Sequence, residues 1–234
     1  MNYTIFAYDF PHTKTKDFIV TLKLLGYKIN CILAAPRIEL NYPKPKIRIS
    51  VKKNELIHPQ NIAKIFGIPY FVVPHNSDEC IDIIKERNAE IGIIAGARIL
   101  SKKVIGAFST GIINFHPGLI PQNRGLDNLK WAIHKDIPQG VTTHFIDNRV
   151  DAGRIILQQQ IPIFKDDTLF DVDQRLYETQ LDLIKPTLDA IEGKYLDDFP
   201  LVTEGKPKSV MPNELEKELI DKFEAYKLKL INNE

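Results

Sequence analysis

The run Ile113-Asn114-Phe115-His116-Pro117-Gly118 sets an amide and an imidazole two residues apart, and Asp151, in Arg149-Val150-Asp151-Ala152-Gly153, adds a carboxylate. Those three groups can donate to a developing oxyanion, move a proton, and orient or charge-pair the group that moves it. On an extended strand, side chains two apart point to one face, so Asn114 and His116 are expected to share a face. Pro117 holds His116 out of the helical region, and the chain is expected to turn there. A single Asn or His at a strand end is usually a turn former or a satisfied polar group. The set of three is what justifies a site.

Other chemistries compete for the same residues. His116, His144 and Asp151 could form a two-histidine, one-carboxylate metal site. The histidines lie far apart in sequence and form no helical pair, so no metal is expected. The chain has no G-x-S-x-G elbow, no G-x-G-x-x-G after the first apolar run and no Walker A loop, which argues against serine hydrolysis and against nucleotide-phosphate machinery. Cys31 and Cys80 fit no metal spacing and read as small buried hydrophobes in a reducing compartment.

The positioning elements follow from the apolar pattern. The chain has 234 residues, 44% hydrophobic, with a formal net charge of +1. That allows one ordinary globular core and gives no global field to draw in nucleic acid. No apolar run approaches the roughly 18 residues of a membrane span and no charged-then-apolar leader opens the chain, so a cytoplasmic protein with neither nucleic-acid nor membrane partners is expected. Tyr3–Tyr8, Lys28–Ala35, Tyr70–Val73, Ile91–Ala95 and Gly111–Phe115 read as strands, alternating with helices over Thr15–Leu25 and after an N-cap at Ser77. Gly140–Asp147 and Arg154–Ile163 read as later strands, and Thr168–Gly193 as a long helix interrupted by Pro186. Near-continuous apolar strands between helices predict an α/β fold, a Rossmann-like, mostly parallel sheet covered on both faces. Pro36–Pro59, with four prolines, reads as a long loop.

Residues 1–205 are expected to form the main domain and 206–234 a helical tail. Asn213 with Glu216 three places on reads as a capping box. Leu215, Leu219, Phe223, Tyr226 and Leu230 then make one apolar stripe. The stripe is expected to pack on its own domain; a homodimer through this C-terminal helix is the alternative.

The runs Glu90–Leu100, Asn114-Phe115-His116-Pro117, Arg124-Gly125, Trp131-Ala132-Ile133, Gly140–His144 and Asp151-Ala152-Gly153, in that order, resemble the folate-dependent formyltransferases. That family includes the glycinamide ribonucleotide, methionyl-tRNA and nucleotide-sugar enzymes. The likeness is strongest over about Glu90–Gly193. It implies 10-formyltetrahydrofolate as cosubstrate, with attack by an acceptor's primary amine on the formyl carbon to give a tetrahedral intermediate. The family's catalytic Asn, His and Asp fall on Asn114, His116 and Asp151. Its folate pocket falls on Arg98, Ile99 and Leu100, with Val104 as a further apolar wall and Asp147 and Val150 closing the other side.

The resemblance implies less about the acceptor. The glycinamide ribonucleotide enzymes carry a Gly-rich phosphate loop after the first strand, where this chain has Tyr8-Asp9-Phe10-Pro11-His12-Thr13-Lys14. His12 and Lys14 at a helix start could still bind an anion. Arg124, with Lys44, Lys46 and Arg48 of the Pro-rich loop, could face a phosphate-bearing acceptor, with Gly125 beside it. Arg124-Gly125 and Trp131-Ala132-Ile133 look most like the sugar and tRNA branches. The expected acceptor is therefore a small amine, a nucleotide-linked amino sugar first. A glycinamide-ribonucleotide-type reaction, hydrolysis of the formyl folate, and a non-catalytic folate-binding or regulatory protein are the alternatives.

Overall fold

The computed structural model describes residues 1–39, 44–47, 49 and 57–231. Arg48 and much of the Pro36–Pro59 stretch lie outside the described residues. Among the described residues seven strands form one sheet: β1 (Tyr3–Tyr8), β2 (Ile29–Ala35), β3 (Tyr70–Val72), β4 (Ile91–Ile94), β5 (Gly111–His116), β6 (Gly140–Phe145) and β7 (Arg154–Gln160), in the order β3-β2-β1-β4-β5-β6-β7. The first five run parallel, while β6 and β7 pair antiparallel. Strand order therefore reverses between β1 and β4, and the crevice beyond the carboxyl ends of the strands is where such sheets bind ligands.

Neighbouring residues on each strand feed opposite cores, as the pleat requires. Ile5, Ile32, Ile113 and Phe115 face one buried cluster, and Phe6, Leu33 and Ile112 face the other. The first is covered by α1 (Thr13–Leu24), α6 (Leu169–Asp182) and α7 (Ile184–Ile191), which contribute Phe18, Val172 and Leu188. The second is covered by α3 (Asp78–Glu86) and α4 (Lys102–Ile105) through Ile81, Ile84 and Val104. Cys31 and Cys80 are both buried there as free thiols. Ser77 caps α3, its hydroxyl accepting from the Cys80 N–H at 3.2 Å. Among the described residues no helix is long and apolar enough to cross a membrane.

Two expectations need correcting. The helix over Thr168–Gly193 is interrupted as expected, but the break falls at Leu183 rather than at Pro186, dividing it into α6 and α7. Pro186 has no N–H for the Asp182 carbonyl and its ring crowds that turn, so it is accommodated in the first turn of a new helix. The tail has no capping box at Asn213. Pro212 is the N-cap of α8 (Asn213–Glu216), and the Glu216 carboxylate turns inward to Lys130 Nζ at 2.7 Å while accepting from the Lys46 N–H. A buried ammonium holds a carboxylate more strongly than an exposed helix end does. The apolar stripe packs inward: Leu219, Phe223 and Tyr226 of α9 (Leu219–Ile231) lie in the same cluster as the strands, with Leu230 at its edge.

Candidate active site

β5 ends as Pro117 demanded, with His116 as its last residue. The ladder from β4 stops at Ile113, whereas β6 continues to pair through Asn114↔His144 and His116↔Thr142. The strand end is thus open on one side only. Asn114 Nδ2 lies 3.3 Å from Asp151 Oδ1 and 3.4 Å from His144 Nε2. His116 Nδ1 is 3.4 Å from the same Asp151 oxygen. The three residues meet as the sequence suggested.

His116 Nε2 is 2.8 Å from the Asn123 carbonyl, which can only accept, so that nitrogen carries a hydrogen. Nδ1 is left facing Asp151. Gly118 packs against the ring, and a Cβ there would sit 2.9 Å from Nε2. Burial opposes ionisation of Asp151, but the hydrogen bond and charge of His116, the charge of His144 and the Gly125 N–H at 3.0 Å outweigh it and hold the carboxyl below its usual range. Asp151 is therefore a carboxylate at neutral pH, ready to receive a proton.

His144 is the residue that motif reading undervalued. It is wholly buried, and its Nδ1 donates to the Ala152 carbonyl at 2.8 Å. Burial first, and the charge of His116 second, push its pKa down to about 4. It is neutral at pH 7 and offers Nε2 as an acceptor to the Asn114 amide. With the two His116 nitrogens also engaged, the His116, His144 and Asp151 trio is a hydrogen-bonded network; among the described residues no group of His, Cys, Asp or Glu is arranged to hold a metal.

The expected folate-pocket residues divide. Ile99 is 70% exposed and Val150 is partly exposed, so both can meet a ligand. Asp147 pairs with Arg149 at the tip of the loop before Asp151. Leu100 and Val104 are buried on the second face of the sheet, packed with Phe6 and Phe108, so core packing accounts for their apolar character. Arg98 stacks over Tyr8, and among the described residues its buried Nε has no hydrogen-bond partner.

The expected acceptor residues are occupied elsewhere. His12 caps α1, Nδ1 accepting from the Thr15 N–H at 3.3 Å; burial, with Lys14 adding to it, lowers its pKa to about 4. Lys14 turns inward to the Phe115 carbonyl (3.0 Å) and Gln180 Oε1 (2.9 Å), and burial lowers its ammonium to about 8 against the opposing pull of Asp151. Arg124 is 5% exposed and, among the described residues, donates to main-chain oxygens. Lys44 and Lys46 are exposed.

A doubly wound sheet whose last parallel strand delivers an amide and an imidazole to a carboxylate from the β6–β7 loop is built for acid–base chemistry on a polarised carbonyl. The chain belongs to the formyl transferase family, matching it over residues 53–187. It is 33% identical over 139 residues to the phosphoribosylglycinamide formyltransferase of Haemophilus influenzae, a match covering 57% of this chain and 66% of that protein. It is 35% identical over 109 residues to the methionyl-tRNA formyltransferase of Flavobacterium psychrophilum, covering 46% of this chain but only 34% of that one. A phosphoribosylglycinamide formyltransferase structure from Anaplasma phagocytophilum superposes with a TM-score of 0.65 at 20% identity, covering 91% of this chain and 98% of that one. A sugar N-formyltransferase structure from a Shewanella species gives 0.60 at 20% identity, covering 90% and 77%.

Proposed function

We propose that this chain transfers the formyl group of 10-formyltetrahydrofolate to the primary amine of a small acceptor. The observation that carries the reading is the convergence of Asn114 and His116 on one oxygen of Asp151, within 3.4 Å. The Asn114 amide donates to the formyl oxygen as negative charge develops there, moving its N–H off Asp151. Asp151 takes the proton of the attacking amine. His116 balances that carboxylate and relays the proton through Nδ1 toward N10 of the folate, so that the tetrahedral intermediate collapses with cleavage of the C–N10 bond and tetrahydrofolate leaves as the neutral amine. No side-chain nucleophile is involved, since the acceptor amine itself attacks the formyl carbon.

The residues fit a bound folate at one point in particular. Among the described residues the buried Arg98 Nε lacks an acceptor, and a polar ligand atom beside β4 would supply it. Arg98, Ile99, Asp147 and Val150 are the residues we assign to the folate, which brings the activated formyl group.

For the acceptor we propose a nucleotide-linked amino sugar, supported by Arg124-Gly125 and Trp131-Ala132-Ile133 and by the sugar N-formyltransferases among the proteins of like fold. The inward turn of Lys14 and Arg124 means that its anionic part is not held by them. The test is a panel of amines with 10-formyltetrahydrofolate, following tetrahydrofolate release. Release that depends on a nucleotide-linked amino sugar is expected. Release without any amine would make the protein a hydrolase, glycinamide ribonucleotide as the preferred acceptor would move it to the purine branch, and folate binding without release would make it a binder.

A further inference from the structure

Asp151 has a backbone φ of +42°, in the left-handed region that a non-glycine residue holds only when its surroundings impose it. Two adjacent residues impose it. The buried Arg124 guanidinium donates through Nε (3.1 Å) and Nη2 (2.7 Å) to the Val150 carbonyl, and through Nη1 to the carbonyls of Glu204 (2.9 Å) and Gly205. The Gly125 N–H donates to Asp151 Oδ2 at 3.0 Å. Residues 124–126 are in turn fastened to the segment after the helices: Lys208 N–H donates to the Arg124 carbonyl (2.8 Å) and Leu126 N–H to the Lys208 carbonyl (2.9 Å). Gly125 makes that approach possible, with φ +103° and a position where a Cβ would meet the Lys208 oxygen at 2.1 Å.

We propose that Arg124 is a positioning residue: it ties the strap of residues 204–208 to the Val150 carbonyl and thereby sets the conformation in which the Asp151 carboxylate faces Asn114 and His116. Guanidinium suits this task because it stays ionised when buried and presents its donors in a fixed fork, so one side chain can bind three carbonyls at once. A lysine has no such fork. The strap lies beyond the helices that close the sheet, so the chain after Phe199 acts on the site without touching it.

The kinetic readout rests on the formyl-transfer reading; a titration readout does not. Asp151 faces His116 from β5, His144 from β6 and, through charge alone, Lys14 from α1, with Asp147 and Arg149 in its own loop and Arg124 behind it. Freeing Val150 takes the Asp151 carboxylate away from the Gly125 N–H and from His116. Its protonation midpoint then moves up toward the ordinary carboxylate value.

The experiment compares wild type, Arg124→Met, Arg124→Lys and Arg124→Ala. For Arg124→Met we expect kcat to fall about 10²-fold, KM for folate and acceptor to change far less, and the acid limb of the kcat profile to move to higher pH. We expect the Asp151 carboxyl, followed by carbon-13 NMR in the free protein, to move the same way. Guanidinium ion added to Arg124→Ala should recover part of the rate. A folded Arg124→Met with wild-type kcat and an unmoved Asp151 midpoint overturns the proposal, as does a raised acceptor KM at unchanged kcat. Should Arg124→Met not fold, Arg124→Lys decides: we expect a smaller loss with the same direction of shift, and no change overturns it. If wild type formylates no amine, the functional reading fails while the Asp151 titration still decides the clamp.

Discussion

At the scale of single residues, His144 decides what Asn114 can do. Its Nδ1 is committed to the Ala152 carbonyl, so Nε2 accepts, and the Asn114 amide is drawn N–H first toward the catalytic face. An amide turned the other way would present oxygen to a developing oxyanion and repel it. We predict that His116→Ala and Asp151→Ala each lower turnover by at least about 10², while calorimetric binding of 5-formyltetrahydrofolate changes much less. Near-normal turnover in either variant would remove the assignment. Lys14→Met is predicted to lower kcat rather than raise the acceptor KM, because its ammonium holds the Phe115 carbonyl between the two catalytic residues; a salt-sensitive KM effect would return Lys14 to the acceptor. Asn114, His116 and Asp151 were legible because their chemistry resides in side-chain type. The Asn123 carbonyl and the Gly125 N–H were not, since any residue supplies a backbone group. The carbonyls that Arg124 binds were not legible either, because a guanidinium suits a phosphate as well as a set of carbonyls.

At the scale of elements, the parallel strands were readable from apolar runs that need no alternation when both faces are covered. The antiparallel turn of β6 and β7 was not, because a buried strand carries no mark of its direction. β1, β2 and β3 are also linked by His75, buried beside Phe6 with Nε2 at 3.0 Å from the Leu33 carbonyl. Burial pushes its pKa down to about 4, with hydrogen bonds to Leu33 and Ala7 resisting. The unfolded chain binds a proton near pH 6.5 that the folded one refuses until about 4, so stability is full above about 6.5 and falls with pH across that window. At full shift the effect is on the order of 3 kcal/mol per histidine. His144 adds to it in the same direction. Denaturant melts from pH 7 to 4 should show the decline, and His75→Gln should flatten it. An unchanged slope in that variant would mean that His75 does not titrate as its burial implies.

At the scale of the whole molecule, the tail is joined to the helix before β6 by an ion pair that the sequence disguised as a helix cap. Lys130 on α5 (Asn128–Lys135) and Glu216 on α8 are both almost fully buried, 2.7 Å apart. Burial raises the Glu216 pKa, yet the Lys130 hydrogen bond and charge and the Lys46 N–H prevail and depress it. Its stabilising contribution is therefore present at neutral pH and is lost as pH falls through the folded-state pKa. Lys130→Met strips the buried Glu216 carboxylate of its cation and is predicted to cost about 3–5 kcal/mol; Glu216→Gln should cost less, because Lys130 keeps Asp127 at 3.5 Å. The double variant Lys130→Met/Glu216→Leu should recover most of the Lys130→Met loss, because a packed apolar pair needs no desolvation of charge. The shape of the transition matters as much as its midpoint. Leu219, Phe223 and Tyr226 of α9 share a core with Phe18 and Phe115, so one cooperative transition should shift in all three variants, by fluorescence and far-ultraviolet dichroism alike. A separate early melt confined to the tail, with formyl transfer retained, would instead make residues 206–234 an independent appendage and would leave the strap over Arg124 without its anchor.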